Sequence, residues 1–363
     1  MKVLQVIPYM EPKYGGPVFV TTMISNLLNI NNIENKILTV DSDQARKHDQ
    51  VVVYKRSSKL WFFSIDLLLN AHKEVRICSH ILVHGVYTFF TFWVFILALV
   101  YRKKIFLRPA GMLDKDSIFS DSSLKSLARI FYLITVGFFL YLKSNRIIFN
   151  STKEKKNSIF GSKKKSILLP NGIIPEMTNV EFSDKKFSKP KKLFFMGRLH
   201  PIKGIDLLVD AINTLDMEVR SDIELIVAGD GDKNFIEGIK NKSCSSIKYI
   251  GHIDGDIKYE YLQECDIYIQ PSRTEGLSNS MLEAMFCHVA IITTKDSGLA
   301  SELSYNKAAE IINYDVDELA VAILKLINST GTVINYKRNS FNFVSEFYNF
   351  EKNIHKYIEV FNR

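Results

Sequence analysis

Short unbroken apolar runs alternate with longer segments of helical spacing along nearly the whole chain. In the first half the runs are Lys2–Ile7, Lys36–Val40, Val51–Tyr54, Ile81–His84, Lys104–Leu107, Arg146–Phe149 and Ile167–Leu169. In the second half they are Lys192–Met196, Ile223–Ala228, Ile247–Ile250, Asp266–Gln270 and Val289–Thr293. Runs of this length and continuity are how strands buried on both faces read. Helical spacing is found at Val18–Leu28, Ile205–Leu215, Asp232–Asn241, Ile257–Glu264, Leu277–Phe286 and Val316–Asn328. Strands that alternate with helices predict parallel sheets covered on both faces, so the fold class is α/β.

The alternation stops once. From Ile173 to Pro190 the periodicity fails and Lys, Ser, Asp and Pro dominate, after the Pro170-Asn171-Gly172 turn. This predicts a domain at 1–173, a linker at 174–190 and a second domain at 191–344, both doubly wound and Rossmann-like. A length of 363 residues fits two cores. Tandem domains of this kind are expected to hold a ligand in a cleft between the carboxyl ends of their sheets.

Composition adds three points. The net charge is +8, and eleven lysines stand against four acidic residues between Ser151 and Lys192, with clusters at Lys163–Lys165 and Lys191–Lys192. Such runs are first a solvated face, second a contact for an anionic membrane surface or substrate, and only third one for nucleic acid, which is not expected as a partner. Cys78, Cys244, Cys265 and Cys287 are scattered, with no metal or redox spacing, and Met1 leads straight into a strand; a reduced, cytoplasmic protein is expected. Two apolar stretches, Phe89–Tyr101 and Ile130–Leu142, fall short of the roughly 20 residues a spanning helix needs. They fit either core helices or helices that touch the inner face of the cell membrane.

Candidate chemistry concentrates in the second half. In Gln270–Met285 (QPSRTEGLSNSMLEAM) a strand leads through a Pro/Ser turn and Gly276 into a helix, between the acids Glu275 and Glu283. Free amides at a helix start suit a phosphate. Spacing alone puts the two acids two helical turns, roughly 12 Å, apart if the intervening residues are helical. Upstream, Gly197-Arg198 follows a strand and Lys203 stands five residues on, in a Pro/Gly loop. Arg can clasp a phosphate bidentately and Lys can act as a point charge. Alone, this loop reads more readily as an ordinary solvated surface than as a phosphate clasp.

Together these motifs resemble a known family. FMGRLHPIKGIDLLVDAI, LIVAGDGD, GHI and DIYIQPSRTEGLSNSMLEAM are similar, in order and spacing, to the C-terminal domain of the family 4 retaining glycosyltransferases of the GT-B fold. The first half resembles the same family more faintly, through GGP, His84-Gly85, RPAGML, FNST and PNGI.

The resemblance implies two facing Rossmann-like domains, joined by a C-terminal helix from about 345 to 363 that returns to the first. It implies that Arg198 and Lys203, with Gly197 in the same loop, neutralise the diphosphate of a UDP- or GDP-linked sugar. Glu283 would bind the ribose, Glu275 the donor sugar, and the amides of Gly276, Leu277 and Ser278 the phosphate or sugar hydroxyls. Gly15 and Gly16 would let the first loop approach the ligand. The acceptor would be a glycan or lipid-linked glycan, as in bacterial surface polysaccharide synthesis. The chain departs from the family at Ala110, where members carry a polar side chain; Arg108 and His84 are the nearest stand-ins, His84 as a further catalytic group.

No cofactor or metal is expected. Asp41-Ser42-Asp43, Asp230-Gly231-Asp232 and Asp254-Gly255-Asp256 spell D-x-D, but the latter two sit at glycine turns, where Asp is common for turn reasons. Fixed cations would do the work of a divalent ion. The competing readings are a nucleotide-sugar epimerase or phosphorylase on the same fold, and a non-catalytic subunit that binds sugar nucleotide.

Overall fold

The computed structural model describes residues 1–362 except 12–15, 41–49, 59–61, 116–117, 119–123, 162–163, 175–186 and 188–189. It divides into two compact units, Met1–Pro170 with Ile354–Arg363, and Asn171–Asn353.

The first unit is built on seven parallel strands: β1 (Lys2–Val6), β2 (Glu34–Val40), β3 (Val51–Tyr54), β4 (His80–His84), β5 (Lys104–Arg108), β6 (Arg146–Phe149) and β7 (Ser166–Leu168). Their order is β3-β2-β1-β4-β5-β6-β7. Leu4, Val6, Ile81, Val83, Ile105, Leu107, Ile147 and Phe149 bury one face of the sheet against Phe90, Val94, Phe95 and Ala98 of the helix Phe89–Val100. Of the two apolar stretches in the sequence, this one is therefore a core helix.

The second unit carries six parallel strands: β8 (Lys191–Met196), β9 (Ile223–Ala228), β10 (Ile247–Gly251), β11 (Ile267–Gln270), β12 (Ala290–Thr294) and β13 (Glu310–Ile312), in the order β10-β9-β8-β11-β12-β13. Leu193, Phe195, Leu225, Val227, Ile267, Ile269 and Ile292 form its core with Leu208, Ile212, Leu319, Ile323 and Leu326. The sequence pattern does not reveal β13, whose three residues are too few for a periodic signal, or the helix Thr330–Phe347. That helix holds Thr, Val, Asn and Gly, poor helix formers, and is held by burial of Val333, Ser340, Phe343 and Val344.

The boundaries shift slightly. The Ile173 amide bonds to the Tyr348 carbonyl at 2.9 Å and the Phe350 amide to the Ile173 carbonyl at 3.0 Å. Residues 171–173 and 345–353 thus belong to the second unit, and the return to the first begins at Ile354 rather than near 345. From there Tyr357 and Phe361 are fully buried, and the Phe361 ring packs edge-on against Phe106 at 5.0 Å. Among the described residues, no single helix is long and apolar enough to cross a membrane.

Candidate functional site

In each sheet the strand order reverses direction at one point, between β1 and β4 in the first and between β8 and β11 in the second. Loops leaving neighbouring strands diverge there and leave a crevice at the carboxyl ends, the usual ligand position in such sheets. The candidate residues of the second half fall at the β8/β11 point.

The loop after β8 runs through Gly197 and Arg198 to a 3-10 turn, Pro201–Lys203, and ends at Gly204 with φ of 73°. A Cβ on Gly204 would lie 1.8 Å from the Pro271 carbonyl oxygen, so only glycine lets this loop seat on the one after β11. Arg198 is exposed and makes no ion pair among the described residues. The Lys203 ammonium pairs with Glu275 Oε2, which also accepts from Gln270 Nε2 at 3.2 Å. His200, on the same turn, is pushed below its ordinary pKa by partial burial and by the cations Arg198, Arg273 and Lys203. The loop is therefore electropositive.

The loop after β11 is pinned from both sides. The Arg273 amide bonds to Ile202 O at 2.9 Å, the Glu275 amide to Asp296 O at 3.2 Å, and a Cβ on Gly298 would lie 1.5 Å from Gly276 O. The helix that follows is Asn279–Phe286, not one beginning at Leu277. Ser278 is its N-cap, with Oγ accepting from the Met281 amide at 3.2 Å and donating to Gln270 Oε1 at 2.7 Å. Residues 276–278 are consequently non-helical, and the two-turn spacing inferred for Glu275 and Glu283 loses its premise.

Glu283 lies one turn into the helix, with its side chain 6% exposed and Oε1 2.6 Å from Lys258 Nζ of the helix Gly255–Glu264. Burial raises its pKa above the ordinary carboxylate value, against the opposing pull of Lys258. Each acid of the motif thus has its own lysine: Lys203 for Glu275 and Lys258 for Glu283. Lys258, Gln270 and Ser278's cap bond were not singled out from the sequence. Gln270 was legible in principle, as a polar residue closing an apolar strand; Lys258 lies on an ordinary helix and had no signal.

The first-unit candidates are placed differently. His84 ends β4, is 4% exposed, and has Nε2 3.1 Å from Gln5 Oε1. Burial, then Arg108, holds it well below its ordinary pKa, so the ring is neutral. Arg108 does not reach out to replace a missing side chain: it is 2% exposed and gives Nε and Nη2 to Asn150 Oδ1 at 3.1 and 2.8 Å. Glu154 accepts from the Gly111 and Asn150 amides at 2.6 and 2.7 Å. That clamp holds Ala110, with φ of 51°, in the left-handed region. Gly16 is exposed at the start of the helix Gly16–Ile30; Gly15 lies outside the described residues.

Among the described residues, no group of three or more His, Cys, Asp or Glu side chains is gathered to hold a metal. Asp230 accepts from the Gly231 amide at 2.8 Å, and Asp232 caps the helix Lys233–Lys242. Asp41 and Asp43 lie outside the described residues.

Residues 190–329 match the family model "Glycosyl transferases group 1". An uncharacterized glycosyltransferase of Methanocaldococcus jannaschii is 28% identical over 91% of this chain and 89% of its own length. Residues 190–329 thus match a group 1 glycosyltransferase domain, and the chain is similar over most of its length to a glycosyltransferase. The chain is accordingly a transferase enzyme.

A second glycosyltransferase of that organism is 30% identical over 67% of this chain, which spans 64% of its length. The capsular polysaccharide biosynthesis glycosyltransferase CapH of Staphylococcus aureus is 28% identical over 42% of this chain and 43% of its own length. Among solved structures, the Anabaena protein HepE in complex with UDP and glucose superposes with a TM-score of 0.80 at 16% identity, over 100% of this chain and 99% of that one. Sucrose-phosphate synthase from Thermosynechococcus elongatus gives 0.77 at 15% identity, over 99% and 98%. At these identities the likeness concerns the fold, which is that of the GT-B glycosyltransferases.

Proposed function

We propose that this glycosyltransferase moves a sugar, with retention, from a UDP- or GDP-linked donor to a hydroxyl of a glycan or lipid-linked glycan. The setting that fits is bacterial surface polysaccharide synthesis at the cytoplasmic face of the membrane, in line with the capsular role in the name of CapH. The observation that carries the reading is the meeting, at the β8/β11 reversal, of an electropositive loop with two acids held by lysines.

On this reading the diphosphate enters against Arg198 and draws Lys203 from Glu275. Freed of its cation, Glu275 turns its carboxylate to the hydroxyls of the donor sugar. Glu283 offers its second oxygen to the ribose, while Lys258 keeps the first. The amides of Gly276, Leu277 and Ser278 supply further donors, and Gly197 lets backbone come close. As the bond between anomeric carbon and phosphate oxygen breaks, its electron pair leaves with the diphosphate, and the fixed cations meet that charge. The acceptor oxygen bonds the anomeric carbon from the face the nucleotide leaves. Its proton passes to the departing phosphate oxygen. His84 acts on the acceptor side only by positioning, through Gln5.

Incubation with a panel of UDP- and GDP-sugars tests this, with donor consumption followed by mass spectrometry and product anomers by NMR. Turnover of one donor with the donor's configuration kept, undiminished by EDTA, is the expected result. Binding without turnover would leave a non-catalytic subunit; an inverted product or EDTA-abolished turnover would refute the mechanism.

A further inference from the structure

The second apolar stretch of the first unit is unlike the first. From Leu124 the chain is helical through Tyr132, a π turn at Leu133–Gly137, and Phe138–Lys143. One face is packed inward by Leu133, Gly137 and Leu140. A second face is also apolar, and it is bare: Leu127, Phe131, Ile134, Phe138 and Leu142 are 63, 71, 70, 49 and 50% exposed. Their spacing of four, three, four and four residues keeps them on one side of the helix, a stripe roughly 22 Å long. A domain helix needs one apolar stripe to reach its core, and a second contiguous one marks a surface that something covers.

Charge identifies what covers it. Between Asp121 and Glu154 the sequence holds five Lys or Arg and no acid. At the helix end Lys143 and Lys164 are exposed, and the Lys165 ammonium is held at the Leu142 and Ser144 carbonyls, at 2.6 and 2.9 Å. A second copy docking on this stripe would meet the same cations with no acid on the helix to answer them. An anionic lipid surface answers both features at once, with acyl chains for the stripe and headgroups for the lysines.

We infer that Leu127–Lys143 is a bilayer-docking helix that lies flat in the interface of a membrane rich in anionic lipid. Its attachment gives the docking a purpose. The Tyr132 hydroxyl donates to the Val86 carbonyl at 2.5 Å, the Tyr132 and Tyr87 rings meet edge-on at 5.5 Å, and the Tyr87 hydroxyl donates to the Met112 carbonyl at 2.9 Å. The helix is thus fastened to the loops after β4 and β5, which directly follow His84 and Arg108. That link to an acceptor carried on lipid rests on the proposed function; the docking itself does not.

The test is flotation of the full chain with vesicles of phosphatidylglycerol and phosphatidylethanolamine, or of phosphatidylcholine alone, at 0.1 and 1 M salt. Two variants accompany it: the triple change Phe131→Ser, Ile134→Ser, Phe138→Ser, and the double change Lys143→Glu, Lys164→Glu. The native protein is expected to rise with the anionic vesicles at low salt, and each variant to lose about tenfold or more of that binding with unchanged circular dichroism. Native protein that stays at the bottom, or a triple variant that floats as well, overturns the inference. A concentration-dependent dimer lost in the triple variant, without flotation, overturns it in favour of a second copy. Hydrolysis of a soluble nucleotide sugar, expected equal in native and triple variant, keeps the two readings apart: its absence in both condemns the proposed function and leaves the docking standing.

Discussion

The two strand-order reversals of the molecule use polar residues in opposite ways. At β8/β11 Lys203 and Glu275 sit on loops, partly exposed, and pair across them, while Lys258 and the buried Glu283 pair between two helices. At β1/β4 and the strands beside it they are sealed: His84, Arg108 and Glu154 are each at most 4% exposed and serve Gln5, Asn150 and two amides. An ion pair in partial contact with solvent can exchange one partner for a ligand at modest cost. A buried network cannot, because removing one member leaves the others unsatisfied in a low-dielectric interior. The second-unit reversal is therefore built to bind charge, and the first-unit reversal to hold loop shape.

The largest effect expected from this contrast is catalytic. If the proposed function holds, Arg198→Ala and Lys203→Ala should each lower kcat on the order of 10²–10³-fold with thermal unfolding unchanged, since on that reading each removes a fixed cation that meets the leaving diphosphate. Steady-state kinetics with the accepted donor measures it; near-native kcat in both would erase the distinction between the two reversals.

Next comes stability in the first unit. Glu154→Ala leaves the Gly111 and Asn150 amides without an acceptor in a buried site, at a cost of about 3 kcal/mol. Denaturant unfolding reads this directly. If Glu154→Ala instead unfolded like the native chain while activity vanished, the buried network would be functional rather than structural.

A smaller effect belongs to Lys258→Met. Glu283 then remains buried without a cation, its carboxyl shifts toward the neutral form, and the hold on the ribose proposed for it weakens. Donor KM should rise about tenfold with kcat changed far less, and Lys258→Arg should restore part of the loss. A fall in kcat at constant KM would place Lys258 at the reacting bond instead.

The same contrast explains what the sequence made legible. Apolar runs such as Val51–Tyr54, Ile223–Ala228 and Arg146–Phe149 became strands with the expected bounds, because strands of a parallel sheet covered by helices are written as near-continuous apolar runs. The Arg198, Lys203, Glu275 and Glu283 motif was legible because its loops are short and its spacing follows the strands. The pairings within it were not. Lys258 reaches Glu283 from a helix about 25 residues upstream, a contact that only tertiary packing creates. The helix start at Asn279 was missed by two residues because the Ser278 cap competes with Leu277 as the first helical position.

In the first unit, RPAGML showed that a side chain was missing at Ala110. It could not show that Arg108 turns inward to Asn150. The stretch Ile130–Leu142 gave equal support to burial and to exposure, since apolar character alone does not say which face meets the core.

The most direct test of the account is calorimetric titration of UDP and GDP into the native chain and into the double variant Arg198→Ala, Lys203→Ala. The account predicts that one of the two nucleotides binds the native chain and that the variant, equally stable to heat, binds it at least about a hundredfold more weakly. Equal affinity in native and variant, or no binding of either nucleotide to the native chain, would contradict it.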